Sequence, residues 1–280
     1  MQRLIILFSL VLTTVACNKD IDKNYDKENE ADILKYIETN NLEVEKTPSG
    51  LYYIIDKKGE GLQPNSDNNV IVSYKSSFIN GKPFAESGEH GQVFSLQSTL
   101  PGLAEGLALL NEGGEAKLIL PSRLAFGNQD YSSIPAGSVL VFDIKVIATE
   151  NGIDKINENQ ITKYLEDNDI TNAAKKSTSG LYYIIDSLAT GDKPNINSTV
   201  EVKYKGSFLN GDVFDETKED TAHFILQRLI PGFQEGLLLM SEGSSGKFII
   251  PSSLAYGFYG QSGIPPGAVI LFDVELIKVD

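Results

Sequence analysis

The chain has 280 residues, 41% of them hydrophobic and 22% charged, which is enough apolar content for one large core or two ordinary ones. Its formal net charge of −14 argues against nucleic-acid binding, which needs a basic footprint, and against docking by charge on an anionic membrane surface. One cysteine excludes an intramolecular disulfide and a cysteine metal cluster, and two histidines exclude a histidine-rich metal site.

The N-terminus reads as an export signal. Arg3 supplies positive charge, and LIILFSLVLTTVA (4–16) is an apolar run ending in small residues, too short for a span of about 20 residues. Cys17 follows at once, and TVAC resembles the lipobox of bacterial lipoproteins. That resemblance implies a signal peptide over 1–16 and a lipid on Cys17. It also implies a location outside the cytoplasm, facing the periplasm or the cell surface, with membrane contact only through the anchor. The next stretch, NKDIDKNYDKENE (18–30), is too polar to pack, so 17–30 is expected to be a flexible tether.

Beyond the tether the chain repeats itself. SGLYYIID occurs at 49–56 and at 179–186, an offset of 130 that holds without a gap to the end of the chain. Upstream, Ile33/Tyr36/Ile37 and Ile161/Tyr164/Leu165 match at an offset of 128. Two copies at this period are tandem domains and not a solenoid. The expected division is 31–150 and 151–280, joined by the polar stretch 148–159. Each unit opens with a short helix and continues into LYYIID, a β-rich run. VIVSYKSSFI (70–79) and VEVKYKGSFL (200–209) alternate as strands and end at Asn-Gly, a hairpin signal. PGLAEGLALL (101–110) and PGFQEGLLLM (231–240) place apolar residues at helical spacing behind a proline. Two more strands, separated by a Gly-rich loop, complete each unit. The pattern predicts an α+β fold: in each domain an antiparallel sheet curves around one short helix, with another helix ahead of it.

At VKYKGSFLNGDVFDET, LIPGFQEGL, AYG and IPPGAVILFDVEL, in that order, the second repeat resembles the FKBP-type peptidyl-prolyl isomerases. The likeness covers nearly all of 179–280 and, more loosely, 49–148. It implies two FKBP-like domains and a shallow hydrophobic pocket that holds a proline ring. In the second domain that pocket would take Tyr204, Asp215, Tyr256 and Phe272 as the catalytic set. Phe214, Phe224, Leu229, Ile230 and Ile264 would be its walls, and Phe233 its floor. Asp215 would be buried among aromatics and bonded to a pocket tyrosine. In the first domain the counterparts are Tyr74, Phe84, Phe94, Thr99, Leu100, Leu103, Phe126, Ile134 and Phe142. There Ala85 stands for Asp215, Phe126 for Tyr256 and Gln92 for Ala222, so the greasy shell survives and the hydrogen-bonding groups do not.

Isomerising an X–Pro bond means breaking amide resonance, a barrier of roughly 18–20 kcal/mol, with no covalent bond to make. A catalyst of this kind needs neither nucleophile nor metal nor cofactor, and none is expected here. It must bind the twisted amide better than the planar ones, and a low-polarity pocket favours the less dipolar twisted state. The Tyr256 hydroxyl would hold a substrate carbonyl. The implied partners are proline-containing polypeptides, and the implied role is folding assistance to exported proteins, catalysed mainly by the second domain. The alternative is a peptide-binding chaperone with little turnover, which the depleted first repeat favours. His90 and His223 lack acid–base partners in the sequence and are expected to be solvated. The two Gly-rich loops lack the lysine and helix context of a phosphate loop.

Overall fold

The structure is a computed structural model that describes residues 23–280; the signal segment and Cys17 lie outside the described residues. In the first repeat, helix α1 (Asp26–Thr39) precedes strands β1 (Glu45–Lys46), β2 (Tyr52–Lys57), β3 (Asn69–Phe78), β4 (Pro83–Glu86) and β5 (Gln92–Ser95). Helix α2 (Pro101–Ala108) and strands β6 (Glu115–Leu120) and β7 (Leu140–Thr149) complete it. The second repeat runs α3 (Ile153–Asp167), β8 (Lys175–Lys176), β9 (Tyr182–Ser187), β10 (Thr199–Phe208), β11 (Val213–Glu216) and β12 (Ala222–Ile225). It ends with α4 (Pro231–Leu238), β13 (Ser245–Ile250) and β14 (Ile270–Val279). The first sheet is ordered β1-β2-β6-β7-β3-β4 with β5 also on β3, and the second repeats that order with every pairing antiparallel. The expected α+β architecture, with two such domains and a leading helix in each, is what the chain forms.

Local signals account for the elements. Gly81 and Gly211 take φ of +85° and +92° at the hairpin turns, a conformation in which a β-carbon is strained. Pro101 and Pro231 open α2 and α4, where a missing N–H costs nothing. The glycines of PGxxEG let each helix press on its sheet: a β-carbon at Gly106 would sit 2.2 Å from the Leu118 side chain, and one at Gly236 would sit 2.5 Å from the Phe248 ring. Leu103 and Leu107 of α2 therefore enter one core with Leu118, Leu140 and Phe142; Phe233 and Leu237 of α4 enter the other with Phe248, Ile270 and Phe272. The other face of each sheet is covered by the leading helix, through Ile33 on Ile119 and Val141, and through Ile161 on Ile249 and Leu271.

Two boundaries differ from expectation. The tether was expected to reach residue 30, yet α1 begins at Asp26. The reason is tertiary: Asn29, 2% exposed, donates to the Gly137 carbonyl at 2.8 Å and accepts from the Ser122 amide at 2.7 Å, so a polar residue is buried with both amide atoms satisfied. The linker expected over 148–159 shrinks to 150–152, because β7 runs to Thr149 and α3 starts at Ile153. That junction is held by buried Glu112, which accepts from the Thr149 amide and hydroxyl at 2.8 and 2.7 Å and from the Leu62 amide at 3.0 Å. A β-carbon at Gly152 would lie 1.9 Å from the Glu112 carboxylate.

Candidate functional site

In the second domain, strand alternation puts Val200, Val202 and Tyr204 on the core face of β10. The Tyr204 ring meets rings from three other elements: Phe224 of β12 at 5.9 Å, Phe233 of α4 at 6.2 Å and Phe272 of β14 at 5.8 Å. Phe233 and Phe272 lie 4.7 Å apart, and Phe214 of β11 stands edge-on to Phe272 at 5.7 Å. Phe233, Phe272 and Ile264 are buried at 3, 7 and 6% exposure, whereas Tyr204, Phe214, Phe224, Leu229, Ile230 and Tyr256 are half-buried around them. A buried floor with a half-open aromatic rim is a receptive surface, not a closed core. Gly206 makes room for it, since a β-carbon there would come within 2.8 Å of the Phe214 ring and 2.9 Å of Phe272.

Two hydroxyls reach this surface. Tyr204 donates to the Asp215 carboxylate at 2.7 Å. Burial drives the Tyr204 phenol well above its ordinary range, and the bond to Asp215 adds to it. Burial also raises Tyr256, the charge of Asp215 adds to the rise, and a hydrogen bond with Gln261 opposes it. Both phenols are therefore protonated donors at neutral pH. Asp215 departs from expectation in one respect: it is exposed. Its strand, β11, is the edge of the sheet, so the carboxylate keeps hydration while accepting from Tyr204.

Tyr256 and Ile264 sit on the segment between β13 and β14, and one side chain pins both ends of that segment. Asn157 of α3 is fully buried; it accepts from the Ser252 amide at 2.8 Å and donates to the Gly267 carbonyl at 2.9 Å. It is the counterpart of Asn29. The sequence carried a signal for this pair, since Asn29 and Asn157 stand four residues before Ile33 and Ile161 at the offset of 128. Sequence reasoning also passed over Phe248, whose ring supports the floor at 5.9 Å from Phe233.

The first domain assembles the same shell with different polar contents. Tyr74 lies 5.5 Å from Phe94 and 6.2 Å from Phe142, and Phe84 is edge-on to Phe142 at 6.0 Å. Leu103 and Ile134 are buried at 2 and 6% exposure, with Leu100 and Phe126 half-buried against them and Thr99 also half-buried. With Ala85 supplying no carboxylate, the Tyr74 hydroxyl donates instead to the Gln92 side chain at 3.4 Å. The Phe126 ring stacks on Tyr131 at 4.5 Å and 14°. Of the two histidines, both exposed, His90 lies 6.4 Å from the Phe208 ring of the other domain and His223 sits in β12. Among the described residues, no group of three or more His, Cys, Asp or Glu is placed to hold a metal ion, and no helix is long and apolar enough to cross a membrane.

The chain is similar to known proteins. The FkpA FKBP-type peptidyl-prolyl cis-trans isomerase of Aeromonas hydrophila is 40% identical over 126 residues, covering 44% of this chain and 47% of that protein. The protein of the same name from Escherichia coli K12 is 41% identical over 107 residues, covering 38% of this chain and 40% of its own. The chain thus spans about half the length of the curated relatives it matches. The crystal structure of FkpA from Escherichia coli aligns with a TM-score of 0.42 at 36% identity, over 47% of this chain and 62% of that one. The model of the FKBP-type peptidyl-prolyl cis-trans isomerases matches twice, over 61–147 and 191–277, and each match spans the strands and the helix that carry the aromatic shell. By that double match the chain belongs to the FKBP-type peptidyl-prolyl cis-trans isomerase family.

Proposed function

We propose that the protein is a peptidyl-prolyl cis-trans isomerase that acts on exported, proline-containing polypeptides and turns over mainly at its second domain. The observation that carries this reading is the pairing of an open aromatic box with a Tyr204–Asp215 hydrogen bond of 2.7 Å and a half-buried Tyr256 phenol, a combination that the first domain lacks. The proline ring would rest on Phe233, between Tyr204 and Phe272. The surrounding rings lower local polarity and so favour the twisted amide over the more dipolar planar one. Tyr256 would donate to a substrate carbonyl and hold one side of the rotating bond while the other turns. Gln261, bonded to the same hydroxyl, would help to hold it in place. Asp215 would orient Tyr204 by accepting a hydrogen bond from its hydroxyl.

Export and a lipid anchor on Cys17 complete the reading. They rest on the apolar run 4–16 and on TVAC, and labelling with a radioactive fatty acid, lost in Cys17→Ser, checks them. In a proline-peptide isomerisation assay on the full chain, Tyr256→Phe and Asp215→Ala are each expected to lower kcat/KM several-fold to about tenfold, the loss of one hydrogen bond of about 0.5–1.5 kcal/mol. Phe126→Ala, in the first domain, is expected to change it little. No turnover by the unaltered protein would end the reading. A second reading, peptide holding by the first domain, is favoured by the apolar shell it keeps without the carboxylate. Suppressed aggregation of a proline-free client, lost in Tyr74→Ala, would support it.

A further inference from the structure

The loop that carries Tyr256 touches the first domain. Two residues past Tyr256, Phe258 is 7% exposed and packs into a cluster with Ile71 and Ala148 of the first domain and with Ile153 of α3. The next residue, Tyr259, meets Asn69 of β3, whose amide donates to the tyrosine hydroxyl at 2.9 Å. At the far end of the loop, a β-carbon on Gly267 would lie 2.7 Å from the Ile153 side chain and 3.0 Å from that of Ile71. Gly267 is also the residue whose carbonyl Asn157 holds. The loop is therefore pressed from both ends by groups outside its own sheet.

The two repeats show that these contacts are built and not incidental. Ile71 pairs across the strands with Ala148, whereas the same register in the second domain pairs Glu201 with Lys278. Val93 has His223 as its counterpart, and Phe258 has Asn128. On the leading helices, Ile156 of α3 corresponds to Glu28 of α1. At these five positions the residue is apolar where the two domains meet and polar or charged in the other repeat, whereas Ile147 of the same cluster keeps an isoleucine, Ile277, as its counterpart.

We propose that the first domain is a positioning element for the second domain's proline pocket: through Ile71 and Ala148 it seats Phe258 and Gly267, and so fixes the loop that presents Tyr256. The inference rests on the isomerase reading above and adds a role for the first domain that needs no turnover of its own. A hydrogen-bond donor that must meet a rotating amide works only if it is held still, and a small displacement is costly.

The test uses the full chain and two separate substitutions, Ile71→Glu and Phe258→Asn. Each introduces the residue that the other repeat already carries at that position, so each is compatible with the domain fold. Peptide turnover is measured together with amide hydrogen exchange across 254–267 and across β13. Both variants are expected to lower kcat about tenfold, since displacement of a positioned group carries a cost of that order or more. KM should move less, because Phe233 and Phe272 are untouched. Exchange should quicken in 254–267 while β13 stays protected, and Ile71→Leu should restore both readouts. Unchanged exchange in 254–267, or quicker exchange with full kcat, overturns the proposal. If the unaltered protein shows no turnover, the isomerase reading fails and this catalytic role falls with it. The exchange data then still show whether the first domain holds the loop.

Discussion

Tyr256 and Phe126 occupy one register in two copies of one loop, and the missing hydroxyl is only part of the difference between them. In the second domain the phenol lies near Asp215, and burial holds it above the ordinary tyrosine value of 10.0. In the first, the ring stacks on Tyr131 and there is no carboxylate for Tyr74. Because burial raises Tyr256, its donor form persists beyond the usual range. Isomerase activity is therefore expected to stay level up to pH 10.0 and to decline only above it, and a pH–rate profile that bends lower would contradict this. The same sign governs stability. Tyr204 and Tyr256 are raised in the folded state, so their contribution is present below pH 10.0 and is lost as the pH rises through the folded values. Ala85→Asp with Phe126→Tyr, placed in a chain carrying Tyr256→Phe, is expected to add turnover at the first domain. Ala85 is exposed on an edge strand, so the new carboxylate needs no burial.

Each leading helix is tied to its domain by the same two devices. Asn29 and Asn157 bridge the ends of the long loop, and Glu30 and Glu158 accept from a sheet tyrosine, Tyr52 at 2.7 Å and Tyr182 at 2.5 Å. Lys46 and Lys176 pull these two glutamates below the usual carboxylate value of 4.5, with the tyrosine bonds adding to it. Their contribution is therefore present above pH 4.5 and is lost as the pH falls below it. Both pairs are largely solvated, so this contribution is small. The buried asparagines weigh more. Asn157→Ala leaves the Ser252 amide and the Gly267 carbonyl without their partner, a cost of about 1–3 kcal/mol for a buried polar group. It is expected to lower both the thermal midpoint and kcat, whereas Asn29→Ala should lower stability and leave turnover at the second domain nearly unchanged. Circular dichroism melts with parallel kinetics would separate the two.

At the scale of the molecule, the short Glu150–Gly152 junction and the buried cluster of Ile71, Ala148, Ile153 and Phe258 join the domains. Coupled domains unfold together when their interface is apolar and well packed. The unaltered chain is therefore expected to give one transition in urea, and Ile71→Glu to split it into two. Two transitions in the unaltered chain would mean that the domains fold independently. The asymmetry between the repeats follows this contact: Ile71 and Ala148 are apolar where the domains meet, whereas Glu201 and Lys278 hold the same register in the second domain.

The sequence by itself determined the class of fold and the duplication, and its resemblance to a family implied the aromatic shell. Alternation along β3 and β10, the Asn-Gly turns and the PGxxEG helices are local signals, and the offset of 130 multiplies their weight. Every apolar pocket candidate that the resemblance implied in both repeats enters its domain's core cluster; strand parity places the strand residues, such as Tyr74 and Tyr204, on that face, and helical spacing places Leu103 and Phe233. What the sequence could not settle depends on groups distant along the chain. The stretch before residue 31 reads as unstructured until Asn29 is seen to reach Ser122 and Gly137, and 148–159 reads as a linker until Glu112 is seen to hold Thr149. Asp215 reads as buried until β11 proves to be an edge strand. Phe258 reads as one more aromatic in a Gly-rich loop, and only the meeting of the two domains supplies the surface that covers it. Hydrophobic periodicity is written in neighbouring residues; hydrogen-bond satisfaction and domain contact are decided by whatever the fold brings alongside.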